Sequence, residues 1–231
     1  MRMMVVFEKG AQVRWIGHLD LMRAMQRALR RSGLPVEYSN GFHPHIRLSF
    51  ASPLSVGVVG LRELMDVPLE TCVEADRFAG ELNAVLPDCL RVSRCLPLTD
   101  DFPSLMSLVA GADYRIRLFP GPEADRAAEA FDGFMSLAHY QANRRTKSGE
   151  APCDIRPFVV GGSIASGEWG YDISLRTLQT AAGALKPSLW LQCLREYAQA
   201  GEGKALLYRC AILSRQSDGT FVAMEDLAHA L

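Results

Sequence analysis

Between His18 and Ser32 the apolar residues Leu21, Met22, Met25, Ala28 and Leu29 recur every three or four positions. At 100° per residue they gather on one side of a helix, and Arg23, Arg27, Arg30 and Arg31 gather on the other. The spacing predicts a helix over 18–32, ended by Gly33 and blocked from continuing by Pro35. Upstream, Met3–Glu8 is an apolar run of strand length. Val13–Ile16 either continues it or forms a second short strand after the Lys9-Gly10 turn. Downstream, Val36–Tyr38 is β-like, Asn40-Gly41 is a turn signal, and Ile46–Phe50 alternates apolar and polar residues. Pro53–Gly60 reads as a loop, Leu61–Leu69 as a strand, Cys72–Leu86 as a helix and Leu90–Leu98 as a strand. This order is β-α-β-β-α-β, the ferredoxin-like pattern.

Asp100–Pro103 reads as a linker, after which the order starts again. Tyr114–Phe119 has a strand pattern and Glu123–Leu137 a helical one. His139–Thr146 and Cys153–Val160 read as strands joined through Lys147-Ser148-Gly149, and Trp169–Leu175 as a further strand. Pro187–Ala198 is a helix with proline at its start, and Leu206–Leu213 a last strand. The expected fold is α+β, with two tandem ferredoxin-like halves over 1–100 and 110–231; one larger α+β sheet is the alternative.

Composition bounds the classes. The chain has 231 residues, 48% hydrophobic and 22% charged, with a formal net charge of −1. Its overall charge therefore carries no nucleic-acid signal, but the charge is uneven. Residues 1–50 hold eight basic side chains against three acidic ones, and residues 51–101 hold four against nine. A local positive field steers anions even on a neutral protein. The six cysteines show no C-x-x-C spacing and no zinc-finger relation to a histidine, so no cofactor is implied. The N-terminal apolar run is too short for a signal peptide, and no stretch reaches the ~20 apolar residues of a membrane span. A cytoplasmic protein with reduced thiols, most of them core filler, is expected.

The densest chemistry lies in Trp15–Leu54. His18, Asp20, His43, His45 and Arg47 all fall there, and they are expected to converge if the Gly41–Pro44 loop packs near the start of the helix. The arginine face is either a phosphate-binding surface or a solvated outer face. Arginine holds phosphate bidentately, whereas lysine serves solubility equally well, and the four positions are all arginine. His43-Pro44-His45 offers two imidazoles for a metal, with Asp20 or His18 as the third ligand; the alternative is a turn whose histidines bond backbone groups. The same histidines with Arg47 suit acid–base work on an RNA phosphodiester. Arg144, Arg145 and Lys147 form a second basic cluster at the expected hairpin of the second half. Asp154 and Arg156 read as a structural pair. Trp15 and Phe42 offer stacking surfaces for bases or, equally, packing surfaces.

The runs Gly17-His18-Leu19-Asp20-Leu21-Met22-Arg23, Arg27-Ala28-Leu29-Arg30-Arg31-Ser32-Gly33-Leu34-Pro35, Gly41-Phe42-His43-Pro44-His45 and Leu48-Ser49-Phe50-Ala51-Ser52-Pro53-Leu54-Ser55-Val56-Gly57 resemble the radical SAM-linked protein family. Arg144-Arg145-Thr146-Lys147-Ser148-Gly149 and Asp154-Ile155-Arg156-Pro157-Phe158 resemble that family's second-half signature. The likeness is dense over 14–70 and sparser to about residue 160. It implies a partner, because members are typically fused to a radical SAM protein or encoded beside one. With no such domain in these 231 residues, a separate radical SAM enzyme is the expected partner. The resemblance brings no reaction and no catalytic residues. The leading expectation is thus an accessory protein without catalysis of its own that recognises RNA or another polyanion. The alternatives are an enzyme, either a metal-free RNase or a small metal-dependent hydrolase using His18, His43 and His45, and a protein-assembly module.

Overall fold

The run Met3-Met4-Val5-Val6-Phe7 has no polar alternation because the strand it forms, β1 (Arg2–Lys9), is covered on both faces. In a computed structural model, which describes residues 1–146, 149–180 and 183–227, the chain is an α+β protein. Contacts divide it into two units. One is Met1–Ala110 with the chain from Arg209 onward; the other is Gly111–Tyr208.

The first unit holds β1, α1 (His18–Ser32), β2 (Ser49–Phe50), β3 (Val58–Pro68), α2 (Ala75–Asn83), β4 (Leu90–Leu98) and α3 (Leu105–Leu108). β1 lies between β3 and β4, antiparallel to both. Met3, Val5 and Phe7 pack with Leu21, Met25, Ala28 and Leu29 of α1 and with Phe78 and Leu82 of α2. Met4 and Val6 pack on the opposite face with Leu64, Leu96, Phe102 and Leu105. The segment expected to be a linker thus contributes Phe102 to a core.

α1 keeps the bounds its periodicity predicts, and Gly33 closes it in the left-handed region at φ 71°. The strand expected over Ile46–Phe50 is reduced to the two residues of β2, which pair with Met65 and Asp66. Val36 and Tyr38 make only isolated bridges, to Leu69 and Ile46. The Ile46 carbonyl accepts the Gln26 amide at 3.0 Å instead of a ladder hydrogen bond. The stretch after Gly10 is a single 3-10 turn, Ala11–Val13, not a strand.

In the second unit the order is β5 (Gly111–Leu118), α4 (Pro122–Ser136), β6 (Gln141–Thr146), β7 (Gly149–Asp154), β8 (Val159–Gly167), β9 (Gly170–Thr180), β10 (Gly183–Ala184) and α5 (Pro187–Tyr197). β9 pairs with β5, β8 and β10, whereas β6 and β7 form a two-stranded sheet of their own. This is not strand for strand the order of the first unit. The strand expected over Cys153–Val160 is broken because Arg156–Phe158 makes a 3-10 turn between β7 and β8. Phe134 centres the core, with ring centroids 5.0 Å from Tyr140, 5.6 Å from Tyr197 and 5.7 Å from Trp190.

The chain then continues as β11 (Ala205–Arg215), β12 (Phe221–Ala223) and α6 (Met224–Leu227). From Arg209 onward these residues group with the first unit, where Ile212 and Met224 join the Met4 core. Among the cysteines, Cys95 and Cys193 are buried, and burial pushes their thiols up to about 12 and about 11. Cys72 is exposed. No described helix is long and apolar enough to cross a membrane.

A cluster of buried charge sits in the first unit. The Arg209 side chain is 3% exposed and the Glu63 side chain 4%. Arg209 Nε donates to Glu63 Oε1 at 2.8 Å, and Nη2 donates to Glu63 Oε2 and to the Ser52 carbonyl at 2.9 Å. Nη1 reaches the Pro53 carbonyl at 3.2 Å. Lys9 is buried beside them and donates to the Arg14 and Ile16 carbonyls at 3.2 and 3.0 Å. Its pKa is held below the ordinary lysine range, chiefly by burial, with Glu63 opposing and Arg209 adding to the shift. A Cβ on Gly60 would overlap the Glu63 side chain, which is why a glycine stands in this strand.

Two cations therefore share one buried carboxylate. Glu63→Gln leaves both without a counter-charge, and it is expected to lower the unfolding free energy by about 3–5 kcal/mol in urea titrations. A loss under about 1 kcal/mol would mean the pair is dispensable.

Candidate functional site

The buried charges hold two loops in place. Arg209 grips the 52–53 backbone and Lys9 grips the 14–16 backbone. The loops meet where the Gly57 amide donates to the Arg14 carbonyl at 2.8 Å and the Trp15 ring packs on Gly57, whose φ of 87° favours glycine. α1 starts directly beyond, capped by Gly17. Trp15 is 65% exposed, with the Arg14 guanidinium 5.0 Å from its ring centroid.

His18 lies on the inner flank of α1, its ring edge-on to Phe50 with centroids 5.3 Å apart. Eight residues further along, Gln26 holds the Ile46 carbonyl. The chain from Ile46 to Phe50 thus runs back along α1. Gln26, which holds Ile46 next to His45, stands about 12 Å from His18 along the helix axis by the rise per residue. His45 Nδ1 pairs with Ser39 Oγ at 2.8 Å, and the His45 amide donates to the same oxygen. His43 and Phe42 project at the loop tip, with Phe42 fully exposed. Asp20 faces outward and pairs with Arg23 at 3.4 Å. The five residues expected to converge are therefore spread along the helix. Among the described residues no three His, Cys, Asp or Glu side chains gather as a metal-holding group.

The structure does bring α1 and the His/Pro loop to one cleft of about 470 Å³. Met22 and Gln26 line it from α1, and His45, Arg47 and Ser49 line it from the returning chain. Arg2 and Asp66 form its far wall. Hydrogen bonding and charge from Asp66 hold the Arg2 guanidinium above its ordinary value, and Arg2 Nη1 also donates to the Phe102 carbonyl at 2.5 Å. Arg47 pairs with Glu37 at 2.5 Å while staying 55% exposed.

The arginine face borders this cleft. Arg23 and Arg30 lie three and four residues from Gln26 and are its neighbours on the helix surface; Arg27 is the next neighbour of both. All three are exposed. Arg31 turns the other way and donates to the Val85 carbonyl at 2.8 Å. Arg27 and Arg30 have no hydrogen-bond or ion-pair partner among the described residues. The single contact of Arg23, with Asp20, is an exposed pair of little energetic weight.

Of the second basic cluster, Arg144 and Arg145 stand on β6, opposite Ala151 and Glu150; Lys147 lies outside the described residues. The base of this hairpin is fixed by Asp154. Its Oδ1 accepts from the Tyr140 and Arg156 amides at 3.0 and 3.1 Å, and Oδ2 pairs with His139 Nδ1 at 2.7 Å. The Arg156 guanidinium turns away to the Leu137 carbonyl at 2.7 Å. The expected Asp154–Arg156 pair is thus a side-chain-to-backbone turn, and His139 has a partner that its sequence neighbours do not reveal. Gln26 and Arg2 also escape a reading by residue type, since an amide and an N-terminal arginine carry no motif. Gln26 has one readable trait: it is a polar residue beside the apolar stripe of α1.

The model of a family described as "Uncharacterized protein conserved in bacteria (DUF2344)" matches residues 2–187. No curated protein matches the chain.

The carboxyl of Asp154 is held below its ordinary 3.8, first by the Tyr140 amide and then by His139. Its anchoring is therefore fully present above that ordinary value and is lost as pH falls through the lower folded value. Asp154→Ala is expected to reduce amide-exchange protection across residues 140–156 at pH 7. The parent chain should lose the same protection only in strong acid. Equal protection in the two proteins at pH 7 would remove Asp154 from this role.

Proposed function

The chain belongs to the DUF2344 family, and from that premise we propose that it recognises RNA through the cleft and arginine face of α1. It acts as an accessory to a separate radical SAM-type enzyme and has no catalysis of its own. The observation that carries this reading is the state of the arginines. Arg27 and Arg30 are exposed and unpartnered among the described residues, and Arg23 is barely engaged. They stand in a row beside a cleft that already holds Arg47 and His45.

A row of guanidinium groups at three- and four-residue spacing presents bidentate donors to successive phosphates. Exposed Trp15 and Phe42 supply flat surfaces for bases. The exposed Arg23, Arg27 and Arg30 supply the local attracting field. The partner half of the proposal rests on the resemblance to radical SAM-linked proteins in Gly17–Arg23, Arg27–Pro35 and Gly41–His45. The RNase reading finds less support, because His18 and His45 sit two helical turns apart and each is engaged with a neighbour of its own.

Anisotropy titration of a labelled RNA oligomer between about 50 and 200 mM salt tests the binding. Arg27→Ala/Arg30→Ala is expected to weaken it about tenfold or more, and to reduce the slope against log salt by about one per arginine removed. Absence of RNA binding at the lowest salt would sink the proposal. Purification from the native cell tests the partner half: an iron–sulfur protein should accompany the chain.

A further inference from the structure

The second unit has its own cleft, of about 370 Å³, between the base of the β6–β7 hairpin and the start of α5. The floor is apolar, made by Cys153, Ile155, Phe158, Leu185 and Leu189. Ile155 is fully buried, and Phe158 and Leu185 nearly so. The rim is polar. Asn143 and Glu150 come from the hairpin, Lys186 and Ser188 from the head of α5, and Gln192 from one turn further along. All five are exposed.

The rim groups are held but not used up. The Lys186 carbonyl accepts the Leu189 and Trp190 amides at 3.1 Å each, fixing its backbone. Its ammonium has no carboxylate partner among the described residues, nor does Glu150 have a cation there. The Gln192 amide nitrogen donates to Glu196 at 2.8 Å, which sets the plane of that amide.

Each part selects a different piece of a ligand. The apolar floor suits a flat ring or a hydrocarbon body. Lys186 and the Ser188 hydroxyl together suit a phosphate. A carboxylate and two amides suit the edge of a nucleobase, where Glu accepts from an exocyclic amine and Asn or Gln pairs with a donor and an acceptor at once. A simple anion would leave the floor unused and meet repulsion from Glu150. A hydrocarbon would strip water from the rim without replacing its hydrogen bonds. A nucleotide uses all three parts. In addition, β6 continues from Asn143 directly into Arg144 and Arg145, so the strand lining the cleft also carries these two arginines.

We propose that this cleft takes one unpaired nucleotide, its base on the apolar floor and its phosphate at Lys186 and Ser188. The assignment rests on the RNA reading above for its setting, since the nucleotide would belong to the bound strand. It can be tested apart from that reading. Cys153 lies in the floor and Cys72 is exposed elsewhere, which gives a probe and an internal reference on one chain.

The full chain is treated with iodoacetamide, and alkylation of each cysteine is followed by peptide mass spectrometry. A nucleoside 5′-monophosphate at about ten times its dissociation constant is expected to slow Cys153 about tenfold and leave Cys72 unchanged. Inorganic phosphate and ribose 5-phosphate are expected to protect little, and equal protection by either would overturn the assignment. Lys186→Ala should weaken mononucleotide binding about tenfold. Glu150→Gln should reorder preference among the four bases. Equilibrium dialysis of labelled mononucleotide is a second readout, and absence of saturable binding overturns the proposal. Protection of Cys153 by mononucleotide without any RNA oligomer binding would keep the cleft and remove the RNA reading. RNA binding with Cys153 unprotected would do the reverse.

Discussion

The bidentate pair of Glu63 and Arg209 is the constraint on which the first unit is arranged. Two charges placed beyond solvent cost several kcal/mol each unless their hydrogen-bonding capacity is met. Here Arg209 spreads its donors over both Glu63 oxygens and the Ser52 and Pro53 carbonyls. The backbone of 52–53 is therefore part of the solvation shell of a buried ion, and its conformation is fixed by that duty. Lys9 imposes the same duty on 14–16 through two further carbonyls. These segments flank α1 and the returning chain, so the place where α1 begins and the place where β2 reaches β3 are both set by buried charge.

The run Ser52-Pro53-Leu54-Ser55-Val56-Gly57 gains a physical reading from this. It resembles a family signature, yet its contacts are those of a clamp: Ser52 and Pro53 for Arg209, Gly57 for Trp15 and the Arg14 carbonyl. Its task is to present the neighbouring elements. Trp15, the outer face of α1, and Phe42 and His43 in the loop are exposed.

Elements whose signal lies in local periodicity were legible in the chain. α1 shows this best, since both its apolar stripe and its Gly33 stop are properties of fifteen consecutive residues. The arginine face was legible for the same reason. What was not legible depends on distant partners. Ile46–Phe50 alternates like a strand, but only Ser49 and Phe50 pair with β3; Ile46 bridges Tyr38, and the Arg47 amide donates to the Glu37 carbonyl at 2.9 Å. Glu63 and Arg209 are 146 residues apart, and nothing in either neighbourhood announces the other. Gly60, expected to end the 53–60 loop, stands instead inside β3, where a Cβ would meet the Glu63 side chain. The His43-Pro44-His45 run looked like a ligand pair because composition shows residue types without directions. The backbone instead spends His45 on Ser39 and keeps His18 two turns away on Phe50.

The division between satisfied and unsatisfied charge bears on what kind of function this architecture favours. Catalysis by acid–base groups needs them desolvated, converging and perturbed. In the first unit the buried charges are Lys9, Glu63, Asp66, Arg209 and Glu225. Lys9 and Arg209 hold backbone carbonyls, and the three carboxylates are paired with Arg209, Arg2 and Arg62. The exposed histidines do not converge. Arg27 and Arg30 stand on the outer face of a helix, one turn apart, exposed and without a partner among the described residues. Their spacing is fixed by the repeat of the helix itself. A rigid face with regularly spaced cations is the geometry on which the proposed recognition of RNA rests.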